Sequence, residues 1–545
     1  GGPPHVLLAR FEETLELAGR RHELGTSQYP GVLHPRGFEL LAGFALEPLP
    51  QWTFELGEGA RLTRTLARPR GRGGLVLSWL LEAPAPAWLE LRPLLAGREA
   101  ARLRAFDPGA SSRASSVALD LALEVDGGPL PICCRVSDGV WEADGLRYRD
   151  LEYERDREAG RDFREDLLSP GRLRCPLRPG RPLHLLAWAG PIAPLADPRQ
   201  LLDEERRRLR ALRDGHGLLA ELRQAGEAFL VEHAHEPVVE PAFGGDLDSE
   251  RLLRGLPGLL GEPARAELGA TLLGRLLWRL QAGLEQGQVA GRTALLATVA
   301  AARWSQISGH PGALAAWRGA LLELVAALAE GRLPSVSPAE NGLLLEAGER
   351  GPRLSTQALW FNALLLGAEL ARASGDQPRA AAWSAVAARV RDVVLRGFWD
   401  EGRGTLLGGL AEGHDDGPCP EVLDAVGLPH ALLPRERAQR LLAHVQSDLL
   451  QPLGLRAPAP GGGDWLCPAW AGSFFEGLIR LAGEEGKRAA REWLRAYSAR
   501  TCEAGLGSAP QAWDTRPPHA PRGAPFDPWS TGELQHLAAR LGRRR

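Results

Sequence analysis

Hydrophobic positions change their spacing once along this chain, near residue 197. Before that point apolar and polar residues alternate in short runs. Examples are Trp52-Thr53-Phe54-Glu55-Leu56, the run at 75–80, Ala87-Trp88-Leu89-Glu90-Leu91 and the run at 117–123. A period of two gives a strand one buried face, and the breaker at 70–74 separates two of these runs. Strands this short and this frequent predict an antiparallel β-sandwich over residues 1–197. The stretch 201–223 is charged and helical in spacing, and predicts a linker helix within residues 198–227. Beyond it, Leu268, Leu272, Leu273, Leu276, Leu277 and Leu280 form one wide apolar helix face. Segments 314–328, 359–370, 381–395 and 438–450 repeat the pattern, with Gly331, Pro334 and Gly397 as stops. Residues 228–545 therefore predict a compact all-helical second domain.

Composition narrows the function classes. The 545 residues are 44% apolar and 24% charged, with a formal net charge of −3, so nucleic acid and acidic membranes are not the implied partners. No apolar run is long enough to span a membrane, and no signal peptide is visible. The six cysteines form no CxxC pair, which argues against zinc or a disulfide framework and for buried thiols in a reducing cytoplasm. Cys133 and Cys134 are adjacent in a predicted strand and should point to opposite faces. The opening Gly-Gly-Pro-Pro and the absence of methionine predict a truncated start. A homo-oligomer is left open, and no cofactor or metal is expected.

Two long strings carry a resemblance. Phe11-Glu12-Glu13-Thr14-Leu15-Glu16-Leu17 is followed by a second run over 23–35. Tyr148-Arg149-Asp150-Leu151-Glu152-Tyr153-Glu154 is followed by a run over 162–171. Together they resemble the N-terminal domain of bacterial glycogen debranching enzymes of the amylo-α-1,6-glucosidase family. The second half carries further signposts: Phe229-Leu230-Val231, Gly255-Leu256-Pro257-Gly258, Ala358-Leu359-Trp360-Phe361-Asn362 and the run 514–523. The resemblance implies an (α/α)6 barrel of six-hairpin glycosidase type behind the sandwich. It also implies an inverting α-1,6-glucosidase whose ligand is glycogen or a branched maltooligosaccharide.

At the positions such an enzyme uses, this chain departs from the pattern. Glycoside hydrolysis takes two carboxyl groups, one to protonate the leaving oxygen and one to activate water. The family's acid lies in a Trp-Met-Asp-Ala string, which the shortened loop 345–352 lacks; Glu346 and Glu349 stand there as charged loop residues. The family's base position falls on Gln511, whose amide cannot take a proton. The family's Trp-Phe-Gly-Asp-Trp-Gly-Arg-Asp clamp becomes Ala242-Phe243-Gly244-Gly245-Asp246-Leu247-Asp248-Ser249-Glu250-Arg251. Its Asp-Ala-Thr-Leu-Trp becomes Arg292-Thr293-Ala294-Leu295-Leu296, and its Arg-Pro-Asn-Gln becomes Cys419-Pro420-Glu421-Val422. Its His-Gln-Gly-Thr-Val-Trp-Pro-Trp becomes the run 462–469, containing Asp464-Trp465.

Each surviving residue has two readings. Asp246, Asp248 and Glu250 either cap a helix or form a residual glucose clamp with a replacement acid. Asp464 is a further replacement candidate, and Trp465 beside it suits a sugar. Trp360 is read as core packing ahead of a sugar platform. Trp513 and Asp514 stand equally as pocket or core, and His519 as a turn-holding residue. Phe243, Glu250, Trp360, Trp465, Trp513 and Asp514 complete the candidate binding set. Two functions compete: a rearranged hydrolase on branched α-glucan, and a catalytically inactive glucan-binding or partner-binding homologue. A different sugar on the same scaffold is a weaker third.

Overall fold

The computed structural model describes residues 4–542, apart from 72–73, 108, 118–119, 159, 191–196, 214–216, 234–235, 240–248, 411–418, 460–461 and 506. The chain divides into two compact units, Gly1–Leu212 and Arg213–Arg545.

The first unit is built from two antiparallel sheets. One runs in the order Val140–Glu152, Arg164–Leu177, Ala87–Glu99, His5–Leu17, Arg20–Glu23. The other has eight strands, from Ser112–Val117 at one edge to Leu41–Leu46 at the opposite edge. Alternation decides what lies between them. Leu15, Leu89, Leu91 and Leu173 from the first sheet meet Leu62, Trp79, Leu81 and Leu185 from the second in one core. Cys134 belongs to that core, whereas Cys133 faces the other way, against Leu201, Leu202 and Leu209 of the helix Pro198–Leu212. The adjacent cysteines thus lie on opposite faces, as period two requires.

The family strings here are structural. Glu13 is buried and accepts from Arg64 at 3.0 Å, and Arg64 in turn lies over Trp52. Glu165, fully buried, takes Arg98 and the Tyr153 hydroxyl at 2.6 Å. Asp166 receives Arg147 and the backbone N–H of Phe106 and Asp150.

Two local expectations are corrected. The run 117–123 is shared between two strands, Ser112–Val117 and Asp120–Val125, which pair with Val117 opposite Asp120. The stretch 201–223 is also two helices rather than one, Pro198–Leu212 and Leu218–Ala225. The second starts at Gly217, whose φ of 88° is a backbone state that favours glycine and stands outside any helix.

The second unit alternates outer and inner helices six times. The inner ones are α1 (Ser249–Leu260), α2 (Gly291–Ser308), α3 (Leu354–Ala373), α4 (Asp424–Gly427), α5 (Ala469–Ala482) and α6 (Pro528–Gly542). Each touches the next and α6 returns to α1, so they close a ring. Leu218–Ala225, Ala266–Leu284, Arg318–Ala329, Gln377–Gly397, Arg435–Asp448 and Glu484–Ser498 pack around it. This is the expected (α/α)6 arrangement. Inner helices are apolar on nearly all sides because both faces are covered: α3 buries sixteen of its twenty residues, Trp360 included. Where α1 crosses α6, glycine permits backbone contact. A Cβ on Gly258 would stand 1.9 Å from the Gly532 carbonyl oxygen.

Candidate functional site at the helix N-terminal rim

The ring brings together the strings that the sequence scattered. Glu250 and Arg251 stand in the first turn of α1, Arg292 stands in the first turn of α2, and 345–352 enter α3. Residues 419–422 enter α4, 464–467 enter α5, and 511–523 enter α6. All six lie at N-terminal ends of inner helices and so meet at one rim.

Among the described residues, ion pairs lace this rim together. Glu250 accepts from Arg254 Nε at 2.9 Å, from Arg292 Nη2 at 2.8 Å and from Arg292 Nε at 2.8 Å. Arg292 continues to Glu346 at 3.0 Å and to the Thr356 hydroxyl at 3.1 Å, and that hydroxyl also bonds Glu346. Arg254 forms a two-point pair with Asp424, with both side chains buried. It lies 5.4 Å from the Trp470 ring centre and 4.7 Å from that of Trp529. Arg251 and Asp527 make a second two-point pair at 2.6 and 2.7 Å, and Arg353 holds Glu421 at 3.0 Å.

These partners decide how Glu250 ionises. Burial alone would raise Glu250, but the hydrogen bonds from Arg292 and the charges of Arg254 and Arg292 carry it down to about 2. Burial opposes the charge on Arg254 as well, yet Asp424 and Glu250 hold its pKa above the ordinary value. A carboxyl kept ionised in this way has no proton to give a leaving oxygen at neutral pH.

Asp464, Trp465, Trp513 and Asp514 lie in a small antiparallel sheet that enters α5 and α6. Strand Asp464–Cys467 pairs with Ala512–Asp514, placing Trp465 opposite Asp514 and Leu466 opposite Trp513. Register therefore puts Trp465 and Asp514 on one face and Trp513 on the other. Trp465 remains partly exposed, whereas Trp513 is fully buried beside Tyr497. Asp514 accepts from Arg522 at 2.7 Å and from the Arg516 N–H at 3.0 Å, and is lowered by that backbone bond and then by Arg522. Asp464 lies 3.8 Å from Arg456.

Gln511 accepts from the Ala524 N–H through its side chain and donates its own N–H to the Ala524 carbonyl. It clips its own hairpin. His519 sits at φ 60° with Nδ1 2.9 Å from the Asp514 carbonyl, holding the turn. Trp360 is a correction to the candidate binding set: it is 1% exposed and donates Nε1 to the Gly342 carbonyl at 3.2 Å, a core position. Trp513 is removed from the set on the same ground. Phe243, Asp246 and Asp248 lie outside the described residues. No group of three or more metal-ligating side chains occurs among the described residues. No described helix is long and apolar enough to cross a membrane.

Sequence reasoning missed the arginines. One signal was present: the aspartate of the family's Asp-Ala-Thr-Leu-Trp string is replaced here by Arg292, a change of charge sign at the rim.

Comparison with known proteins agrees with this architecture. A bacterial glucoamylase, whose crystal structure is of its complex with acarbose, superposes with a TM-score of 0.60 at 11% sequence identity. The match covers 97% of this chain and 88% of that one. No curated protein matches the sequence. The family profile for the glycogen debranching enzyme N-terminal domain matches residues 3–184, and the amylo-alpha-1,6-glucosidase profile matches residues 349–461. With both profiles in family order on a sandwich and a six-hairpin ring, the chain belongs to the glycogen debranching enzyme family.

Proposed function

We propose that the helix N-terminal rim recognises branched α-glucan and does not hydrolyse it. The ligand class is supported by the two family profiles and by the glucoamylase likeness. One observation carries the non-hydrolytic part: Glu250 is clamped by Arg254 and Arg292, in a rim whose described carboxylates each meet an arginine. Glu250 is held ionised by its arginines, and the side-chain oxygen of Gln511 is committed to the Ala524 N–H. Trp465 gives the described rim a partly exposed aromatic face, suited to stacking on a pyranose. The five described free thiols support a reducing compartment.

The test is binding and turnover measured side by side on phosphorylase-limit dextrin. The protein should be retarded in gels containing the dextrin, with about tenfold weaker retardation for Trp465→Ala, consistent with an aromatic contact of about 1.4 kcal/mol. No glucose should appear. Glucose release would overturn the non-hydrolytic reading, and unretarded migration would overturn the glucan reading.

A further inference from the structure

The opposite end of the ring holds a cavity of about 200 Å³, walled by the last turns of the inner helices. Its lining mixes charged and polar side chains with apolar ones and carries no Phe, Tyr or Trp. Glu476, on α5, faces Arg540 and His536 of α6; Arg540 bonds it directly and His536 Nε2 stands 3.6 Å away. Arg480 donates to the Val426 and Leu428 carbonyls at 2.9 and 3.0 Å, which satisfies the open carbonyl end of α4. Arg303 pairs with Glu533, and Glu262 with Arg223.

Charge does not select an anion here. Every carboxylate has its arginine, and Arg480 is spent on helix-end carbonyls, whose partial charge is negative. What remains open is hydrogen-bonding capacity of both kinds. Among the described residues, Arg540 gives only Nη1 to a protein acceptor, and the Gln306 amide is exposed without a partner. Glu476 Oε1 has Arg480 no nearer than 3.8 Å, so it can still accept. Open donors beside an open acceptor match vicinal hydroxyls, each of which accepts from one group and donates to the next. The cavity gives a single sugar unit room.

We propose that this cavity is a second carbohydrate site, taking one neutral hexose between Glu476, Arg540 and Gln306. It is independent of the rim, which lies at the other ends of the same helices. D-Glucose titrated into the full chain, followed by saturation-transfer NMR, should bind saturably. Glu476→Gln should weaken it at least tenfold, and Gln306→Ala, at an exposed position that folding does not need, severalfold. Trp465→Ala at the rim should leave it unchanged. Absence of saturable binding would overturn the proposal, as would loss in Trp465→Ala with retention in Gln306→Ala. Inorganic phosphate or glucose 1-phosphate binding there in preference to glucose would overturn the choice of a neutral ligand.

Discussion

Arg254 and Asp424 meet across the ring as a two-point pair, Nη1 3.0 Å from Oδ1 and Nη2 2.8 Å from Oδ2, with neither side chain reaching solvent. Removing Asp424 leaves the buried Arg254 guanidinium with Glu250 as its remaining carboxylate, a loss of up to about 3–5 kcal/mol, whereas replacing both partners of a buried pair with apolar groups is often neutral. Asp424→Asn should lower the unfolding free energy of the helical unit, measured by denaturant titration, by that order. The double replacement Arg254→Met with Asp424→Leu should recover most of the loss. Equal losses in the single and double variants would show that the pair contributes more than mutual neutralisation.

Acid should weaken this unit in a defined window. Glu250 moves from 4.5 to about 2 through its arginines, after burial is overcome. Glu476 moves likewise to about 2, with His536 and Arg540 overcoming its burial. In both, the folded carboxyl is the stronger acid. The stability it contributes is therefore present above pH 4.5 and is lost as pH falls from 4.5 toward 2. Melting temperature should be flat from pH 7 to 5 and then fall. Glu250→Gln should start lower and fall less steeply through that window; an unchanged acid slope would refute the assignment.

That network also marks where the sequence stops being informative. Helices and strands could be read because their periods are local, and α3 could be read even though it is apolar nearly all round. The six rim strings could be aligned because each sits at a fixed offset before an inner helix. Their pairing could not, because Arg254 and Asp424 are 170 positions apart, and Arg251 and Asp527 are 276 apart. Glu250 and Arg254, by contrast, fall at the i,i+4 spacing that a helix makes readable. The two faces of the Asp464–Cys467 strand needed its register with Ala512–Asp514, which turns Trp465 outward and Trp513 inward. That is a tertiary fact.

Gly255, Gly258 and Gly532 should prove intolerant of any side chain. A Cβ on Gly258 would be 1.9 Å from the Gly532 oxygen, one on Gly255 2.2 Å from the Pro528 oxygen, and one on Gly532 2.3 Å from the Gly255 oxygen. All three neighbours are backbone, so neither helix can yield locally. Gly→Ala in an open helix position gains up to about 1 kcal/mol, but here overpacking costs about 1–3 kcal/mol or more. Gly258→Ala should lower the melting temperature or leave the chain insoluble. Gly312→Ala, with nothing within 4 Å, should be neutral or stabilising. Comparable behaviour of the two variants would refute the close α1–α6 crossing.

The thiols should resist modification for a related reason, because the packing that excludes water also disfavours charge. Burial pushes Cys175 up to about 12 and Cys419 and Cys467 to about 11. Cys133 and Cys134 are raised by burial as well. The thiolate is the reacting species, so a rise from 9.0 to about 11 cuts the reactive fraction at pH 8 roughly a hundred-fold, before any steric barrier. Labelling with a thiol reagent at pH 8, mapped by mass spectrometry, should find all five slow in the native protein and fast in denaturant. Rapid native labelling of Cys134 or Cys175 would contradict the sandwich core, since both lie between the two sheets. Rapid labelling of Cys467 alone would instead place the strand beside Trp465 in more open surroundings than the ring gives it.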